Sequence, residues 1–376
     1  MYRSALDSVR IVDSLASVDR DEWNALAGPQ PFLRHEFLSA LTDTGCASAK
    51  SGWLPQFVLL KRSGSLAGAM PLFAKNHSYG EYVFDWAWAD AHERHGVDYY
   101  PKLVCAVPFT PVRGARILGA TPAVKKALVQ AALELARDTS SLHVLFACDE
   151  DSMLLAEMGF LMRRTVQFHW KNDGYAGFDD FLARLSHQRR KNIRQERRRV
   201  RDAGVAFRWL EGEAITRKHW EFFNRCYRGT YAAHRSTPYL SLEFFLRLGA
   251  ALPEHVVMVL AEREGRPIAS SLLLRDAQSL YGRYWGAVEH VPLLHFECCY
   301  YQAIQYAIER KLQTFEGGAQ GEHKLFRGLL PVQALSAHWL AHPKFARAVE
   351  TFLEREGAGV ARYVNELVEH SPFKEA

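Results

Sequence analysis

The sequence lacks the patterns that identify secreted, membrane-spanning and zinc-binding proteins. Its six cysteines form no CxxC pair, which favours reduced, packed thiols over a disulfide framework, and we expect no metal site. No apolar run approaches the roughly 18 residues that a membrane helix needs. The first twenty residues contain no continuous apolar stretch of the kind found in secretory signals, so we expect a cytoplasmic protein.

The net charge of the chain is small, but one segment holds many positively charged residues. The net charge is only +5, yet "HQRRKNIRQERRRVR" (His187 to Arg201) holds eight Lys/Arg residues and one Glu. Such a segment can bind phosphates of a nucleic acid, of a nucleotide-linked substrate or of an anionic membrane surface. The alternative is a solvated helix whose arginines pair with acidic neighbours. The candidates for phosphate or RNA binding are Arg189, Arg190, Lys191 and Arg194.

A duplicated pattern predicts the architecture. The segments "FVLLKRSGSLAGAMPLF" (Phe57 to Phe73) and "MVLAEREGRPIASSLLL" (Met258 to Leu274) each predict a strand, a tight turn and a strand. An aromatic helix precedes each segment, and an aromatic strand follows it: "GEYVFDWAWAD" in the first half and "SLYGRYWGAV" in the second. This order predicts a mixed α/β chain with two domains, residues 1–175 and 176–376.

The last third of the chain continues the pattern. A helix is predicted over "HFECCYYQAIQYAIERK", a strand over "LQTFEG", and a further helix from about Glu322. The segment from Pro343 predicts one helix or two, because Gly357 and Gly359 can interrupt it.

Several of these segments resemble a known family. Their order of hairpin, strand, helix, strand, helix and strand is similar to the GNAT acyltransferase fold, and the tandem repeat resembles FemAB/FemX-type peptidyltransferases. "HSYGEYVFDWAWADAHERHGVDYYPKL", "VPFTPVRG", "RYWG" and "GAQGEHKLFRGLLPV" resemble the FemAB-like group of bacterial N-acyltransferases, associated with peptidoglycan biosynthesis and recognition. The resemblance implies two tandem GNAT-like domains, each a mixed sheet flanked by helices. It also implies transfer of an acyl or aminoacyl group to an amine, such as that of a cell-wall precursor.

The resemblance leaves two acyl donors open. GNAT enzymes hold the CoA pyrophosphate on a glycine-rich loop, but here the corresponding connection, "AVEHVPLLHFE" (Ala287 to Glu297), contains no glycine. FemX-like enzymes use aminoacyl-tRNA, and the basic segment resembles the helix that enters their second domain. Aminoacyl-tRNA is therefore favoured as the donor. The alternative is an acyl-CoA-dependent N-acetyltransferase of GNAT type that acts on a small molecule, and no DNA partner is expected.

The second copy contains the groups that acyl transfer to an amine requires: a base, donors to the oxyanion and an acid. The proposed catalytic residues are Glu322, His323, His295, Glu297 and Tyr284. The proposed substrate-binding residues are Glu316, Gly317, Gly318, Gln320, Gly321, Lys324, Arg327, Arg283, Trp285 and Tyr301. The alternatives are a permissive glycine turn, a packed histidine, and a catalytic thiol at Cys298 or Cys299.

The first copy provides candidates for acceptor recognition. They are His77, Ser78, Tyr79, Glu81, Asp85, Tyr100, Lys102 and Arg113. Lys102 and Arg113 would bind an anionic group. The alternative is that His77 and Glu81 only brace the start of a strand. Besides a transferase, the sequence is also compatible with a non-catalytic protein that recognises a cell-wall precursor or an RNA.

Overall fold

A computed structural model describes residues 8–319 and 321–374 of the chain, which divide into two units. Unit 1 runs to Thr165 and includes Ala334–Ala361; unit 2 comprises Val166–Gln333 and the residues from Arg362 onward. Within the two described ranges, no helix is both long enough and apolar enough to cross a membrane.

Helices and strands both occur along the whole described chain. The elements of the first part are β1 (Ser8–Val12), α1 (Arg20–Ala27), α2 (His35–Asp43), β2 (Trp53–Pro55), β3 (Phe57–Arg62), β4 (Ser65–Met70), β5 (Leu72–Lys75), α3 (Trp86–Arg94), β6 (Lys102–Cys105), β7 (Leu118–Gly119), α4 (Pro122–Ala136), β8 (Ser141–Ala147), α5 (Asp149–Glu157) and β9 (Leu161–Lys171). Those that follow are α6 (Phe178–Arg184), α7 (His187–Asp202), β10 (Val205–Glu211), α8 (Arg217–Ala233), α9 (Leu242–Ala251), β11 (Val256–Arg263), β12 (Arg266–Arg275), β13 (Ser279–Ala287), α10 (Leu294–Phe296), α11 (Gln302–Glu309), β14 (Thr314–Ala319), β15 (Leu330–Leu340) and α12 (Pro343–Glu369).

Unit 1 contains two sets of strands around one core. An antiparallel sheet has the order β1-β3-β4-β7, and β8 pairs with β6 in parallel and with β15 antiparallel. Helix α4 closes the core; Thr121 caps its start through Val124 N, and Pro122 occupies its first turn. Its buried face follows the helical repeat: Val124, Leu128, Val129, Ala132 and Ala136.

Two features of unit 1 differ from the sequence-based expectation. The aromatic strand predicted over "GEYVFDWAWAD" is wrong, because α3 begins at Trp86 and buries Trp88 and His92 one turn apart. The predicted domain boundary between residues 175 and 176 assigned Ala334–Ala361 to the second domain, whereas in the structure this segment belongs to unit 1. That return follows from the antiparallel pairing of β15 with β8, which spans a long separation in sequence.

Unit 2 is built on strands in the order β10-β11-β12-β13-β14-β9. All neighbours are antiparallel except β13 and β14, which are parallel. The helix predicted over "HFECCYYQAIQYAIERK" is present, but a π-helical turn at Glu297–Tyr301 separates α10 from α11. Such turns occur frequently at functional sites.

The segment from Pro343 to Glu369 forms one helix. Helix α12 continues through Gly357, although a helical glycine costs about 1 kcal/mol relative to alanine. The helix predicted from Glu322 is a short 3₁₀-helix, Glu322–Arg327.

Helix α8 packs directly on the backbone of β13 at Gly286. A Cβ atom at Gly286 would overlap the Cys226 carbonyl oxygen of α8, so the close approach requires glycine. Thr230 Oγ1 of α8 donates to the Trp285 carbonyl at 2.9 Å. This contact places α8 against β13, the strand that carries Arg283, Tyr284 and Trp285.

Substituting Gly286 tests this packing. Because the added methyl group has no space, Gly286→Ala should lower the free energy of unfolding by about 1–3 kcal/mol in urea titrations. Gly229→Ala, on α8, is the matched control, since its Cβ would meet nothing closer than 3.9 Å. The control should raise stability by about 0.5–1 kcal/mol. Equal stabilities for wild type and Gly286→Ala would contradict the packing.

Candidate active site

In unit 2, the strands β13 and β14 pair only briefly. Their parallel pairing covers Ser279–Tyr281 and Thr314–Glu316. Beyond it β13 has a bulge at Arg283, and β14 has one at Gly317 and Gly318. Bulges redirect strands next to functional sites.

Glycine is required at this bulge of β14. Gly318 takes a φ of +80°, and a Cβ at Gly317 would overlap the Leu329 side chain. The glycines of the "EGG" stretch therefore shape the end of β14.

Lys324 is a buried cation in the 3₁₀-helix that follows β14. Its side chain forms no ion pair with a carboxylate anywhere in the described ranges. Its Nζ instead donates to the Ala319 carbonyl at 2.7 Å and to the Gly318 carbonyl at 3.4 Å. Burial lowers the pKa of Lys324 to about 8. An unpaired buried cation of this kind marks a candidate site for an anion or a developing oxyanion.

Two neutral histidines lie close to one another beside this helix. The ring centroids of His295 and His323 are 6.4 Å apart, and His323 Nε2 is 3.1 Å from the Tyr300 hydroxyl. Burial, with the neighbouring His323, lowers the pKa of His295 to about 4, and burial together with Arg327 lowers the pKa of His323. Both imidazoles are therefore neutral at pH 7 and can accept a proton.

Gly321 makes room for one of these rings. It has a φ of +98°, and a Cβ there would overlap the His323 ring. The position therefore requires glycine both for its backbone conformation and for the ring beside it.

Arg327 is held by a residue that sequence reasoning missed. Glu196 of α7 accepts from Arg327 Nη2 at 3.0 Å and 2.8 Å, and it also accepts from the Tyr301 hydroxyl. The Arg327 guanidinium lies 3.5 Å from the Phe296 ring centroid. Glu196 is the one acidic residue of the basic segment, and that isolation was the only available signal.

The remaining catalytic candidates have other partners. Glu297 accepts from Arg197 at 3.0 Å and from Gln302 at 2.8 Å, so it anchors α7. Glu322 is exposed and accepts from Tyr363 at 3.3 Å. Tyr284 packs against Tyr227 and Phe245.

Of the substrate-binding candidates in unit 2, one lies beside His295 and others have different partners. The ring centroids of Trp285 and His295 are 5.3 Å apart, whereas the Arg283 guanidinium carbon lies 5.0 Å from the Tyr284 ring centroid. Glu316 is 3.8 Å from His169 Nε2. Gln320 lies outside the described residues.

The adjacent thiols are unsuited to nucleophilic catalysis. Burial raises the pKa of Cys298 well above its ordinary value and that of Cys299 to about 12. Both therefore remain protonated near neutral pH, and the thiol alternative has no structural support.

Helix α7 presents a second surface to solvent. Arg190, Lys191 and Arg198 line one groove of this helix, and none of the three pairs with a carboxylate in the described part of the chain. Of the other candidates, Arg194 pairs with Asp179 at 3.0 Å, and Arg189 lies 3.8 Å from the Phe326 ring centroid. The basic segment thus keeps a set of uncompensated charges.

Five of the candidates in unit 1 form a buried polar network. Lys102 Nζ contacts Ser78 Oγ at 2.8 Å, Glu81 Oε2 at 2.9 Å and Asp85 Oδ2. Ser78 in turn bonds to the Tyr100 hydroxyl at 2.8 Å. Lys102 has no exposed surface, and its charge is already matched by two carboxylates. This arrangement does not support the predicted binding of an anion by Lys102.

Buried hydroxyls and imidazoles extend this network. Tyr99 donates to Asp85 Oδ2 at 2.6 Å, and its hydroxyl oxygen is 3.2 Å from His143 Nε2. His143 Nδ1 lies 2.7 Å from His338 Nδ1. Burial lowers the pKa of His143 to about 3 and that of His338 well below its ordinary value, so both rings are neutral.

The other unit 1 candidates lie outside this network. Arg113 pairs with Asp149, so its charge also has a partner. His77 and Tyr79 form a ring contact at the surface, with centroids 5.4 Å apart.

Removing Lys102 should destabilise the fold strongly. Lys102→Met leaves two buried carboxylates without their cation, so we expect a loss of about 3–5 kcal/mol in unfolding free energy. Urea unfolding at pH 7 measures it. A loss below about 1 kcal/mol would contradict the assigned network.

The variant Glu81→Gln removes the charge of one of the two carboxylates that contact Lys102. It tests how the stability of the fold depends on pH. Burial raises the pKa of Glu81 to about 7, against an ordinary value of 4.5. Between these pH values the folded state binds more protons than the unfolded state does. Glu81 therefore makes the free energy of unfolding fall as the pH rises. Glu81→Gln should remove this fall between pH 4.5 and 7, and an unchanged slope would contradict it.

Solved structures show the same fold. FemX aligns with a TM-score of 0.55 at 12% identity, covering 89% of this chain and 98% of FemX. The L-PGS of Bacillus licheniformis aligns with a TM-score of 0.56 at 10% identity, covering 92% and 97%. The predicted α/β fold of tandem GNAT-like domains is confirmed.

The sequence comparisons identify the family. No curated protein sequence matches the chain. The FemAB-like family, described as peptidoglycan biosynthesis/recognition, matches residues 14–375. The chain therefore belongs to the FemAB-like family, as its motifs predict.

Proposed function

We propose that this protein is an acyltransferase of FemAB/FemX type that transfers an acyl or aminoacyl group to the amine of a cell-wall precursor. The family and the fold support an acyltransferase role in general. The observation that carries the specific proposal is Lys324: a buried cation without a carboxylate partner in the described chain, next to two neutral histidines.

The chemistry assigns a role to each of these groups. The acceptor amine attacks the acyl carbonyl, and a C–N bond forms while the carbonyl oxygen becomes an oxyanion. The protonated Lys324 donates to that oxyanion, which supplies the negative charge that Lys324 lacks. His323 or His295 accepts the amine proton and returns it to the departing oxygen or sulfur as the bond to the donor breaks. Arg327 and Glu196 hold the 3₁₀-helix in place.

Helix α7 supports aminoacyl-tRNA as the donor. Two of the predicted candidates, Arg190 and Lys191, and the further residue Arg198 can contact phosphates, whereas the predicted Arg194 already pairs with Asp179. Acyl-CoA is the alternative donor.

Acceptor recognition by unit 1 stays a proposal with a narrower basis. Lys102 and Arg113 already have carboxylate partners, so the surface residues His77 and Tyr79 are the better candidates for contact with a ligand.

Lys324→Met tests the reaction. Purified protein is given a pool of radiolabelled aminoacyl-tRNA and a muropeptide with a free amine, and acylated muropeptide is quantified. Loss of the oxyanion donor should lower the rate about 10²–10³-fold. The matched control is Lys344→Met, which removes an exposed lysine of α12 and should leave the rate unchanged.

The other outcomes of this assay are equally informative. If the Lys324→Met variant transferred the acyl group at the wild-type rate, the assigned role of Lys324 would be contradicted. Binding of the muropeptide by the wild type without transfer from either aminoacyl-tRNA or acetyl-CoA would replace the transferase with the non-catalytic binding protein.

Neutralising the outer face of α7 tests the donor. The triple variant Arg190→Gln, Lys191→Gln and Arg198→Gln should weaken tRNA binding, and it should reduce the salt slope by about 0.7–0.9 per lost contact. The measurement is a binding isotherm with bulk aminoacyl-tRNA at several salt concentrations.

A second triple variant serves as the charge-matched control. Arg217→Gln, Lys218→Gln and Arg228→Gln remove the same charge from α8. An equal loss in both triple variants would contradict a specific surface on α7. Saturable binding of acetyl-CoA without tRNA binding would favour the acyl-CoA alternative.

A further inference from the structure

A row of aromatic rings is exposed on unit 1. The centroids of His77 and Tyr79 are 5.4 Å apart, and those of Tyr79 and Trp86 are 5.0 Å apart. Tyr79 is 58% exposed and Trp86 is 37% exposed. Single exposed apolar residues are common, but adjacent aromatic rings that contact one another in water form a candidate contact surface.

The segment that carries these rings is held rigidly from below. Its inward residues Ser78, Glu81 and Asp85 are almost fully buried, and all three contact Lys102. Lys75 also donates to the Tyr79 carbonyl at 3.1 Å. The rings are therefore positioned before any ligand arrives, which reduces the entropy lost on binding.

The charge of this segment selects against phosphates. From residue 76 to residue 93 the sequence contains no Lys or Arg, and its exposed carboxylates are Asp90 and Glu93. The other two, Glu81 and Asp85, are buried and paired with Lys102. Asp90 is exposed and follows Trp86 by four residues on α3, so the two share one face of the helix. The exposed Asp90 and Glu93 disfavour nucleic acids, nucleotides and anionic lipids at this face.

We propose that His77, Tyr79 and Trp86 form a binding platform for the uncharged pyranose ring of a glycan. The C–H face of the sugar packs on the aromatic rings, and Asp90 accepts hydrogen bonds from its hydroxyl groups. The inference concerns binding alone and does not depend on transfer activity.

The test is binding of chitotetraose, an uncharged oligomer of N-acetylglucosamine, to the full chain by calorimetry. Tyr79→Ala and Trp86→Ala should each weaken binding at least tenfold. Phe84→Ala is the matched control: Phe84 is 57% exposed in the same segment but makes no ring contact in the described structure. The control should change affinity less than twofold.

Circular dichroism melting curves verify that each variant folds. Absence of binding by the wild type, or an equal loss in Phe84→Ala, would overturn the platform. Binding to phosphatidylcholine vesicles in place of chitotetraose, followed by tryptophan fluorescence, would also overturn it and assign the rings to a membrane surface. Loss of transfer in Lys324→Met with intact chitotetraose binding would separate this platform from the proposed reaction.

Discussion

Removing a lysine charge from water is unfavourable unless the protein balances it, and the charges of Lys102 and Lys324 are balanced differently. In unit 1, Lys102 is surrounded by Glu81 and Asp85; burial alone would lower its pKa, but the two carboxylates raise it overall. In unit 2, the hydrogen-bond partners of Lys324 Nζ among the described residues are backbone carbonyls, and the pKa of Lys324 falls to about 8. The first arrangement is complete and stabilises structure. We propose that the second is completed by an anionic group that binds at the site, as expected of a catalytic lysine.

Helix α7 links charge on the surface to order in the site of unit 2. Its inward residues Glu196 and Arg197 hold Arg327 and Glu297, while Arg190, Lys191 and Arg198 face solvent. Some arginines of the basic segment pair with carboxylates, as the solvated-helix alternative predicts, and phosphate binding by the others stays a prediction. We propose that the uncompensated charges of α7 contact a polyanionic donor and that the exposed aromatic rings of residues 77–86 in unit 1 contact an uncharged ligand.

Local patterns predicted much of this fold, and long-range contacts account for what they missed. The hairpins, β13 and α4 follow from alternation, turn glycines and helical spacing. Helix α3 was mistaken for a strand because "WAWAD" alternates with a period of two as well as fitting a helix. The neighbourhood of His295, His323 and Lys324 was predicted, but the pairing of Lys102 with Glu81 and of Glu196 with Arg327 joins residues far apart in sequence. No local pattern specifies such contacts.

The central claim is that Lys324 lacks an anionic partner until the reaction provides one. The most direct measurement is an NMR titration of the Lys324 Nζ, with and without a saturating alkyl phosphonate that carries tetrahedral anionic oxygens. We expect a pKa of about 8 in the free protein and a clear rise towards the ordinary value of 10.5 when the phosphonate binds. An ordinary pKa in the free protein, or a pKa that does not change with the phosphonate bound, would contradict the account.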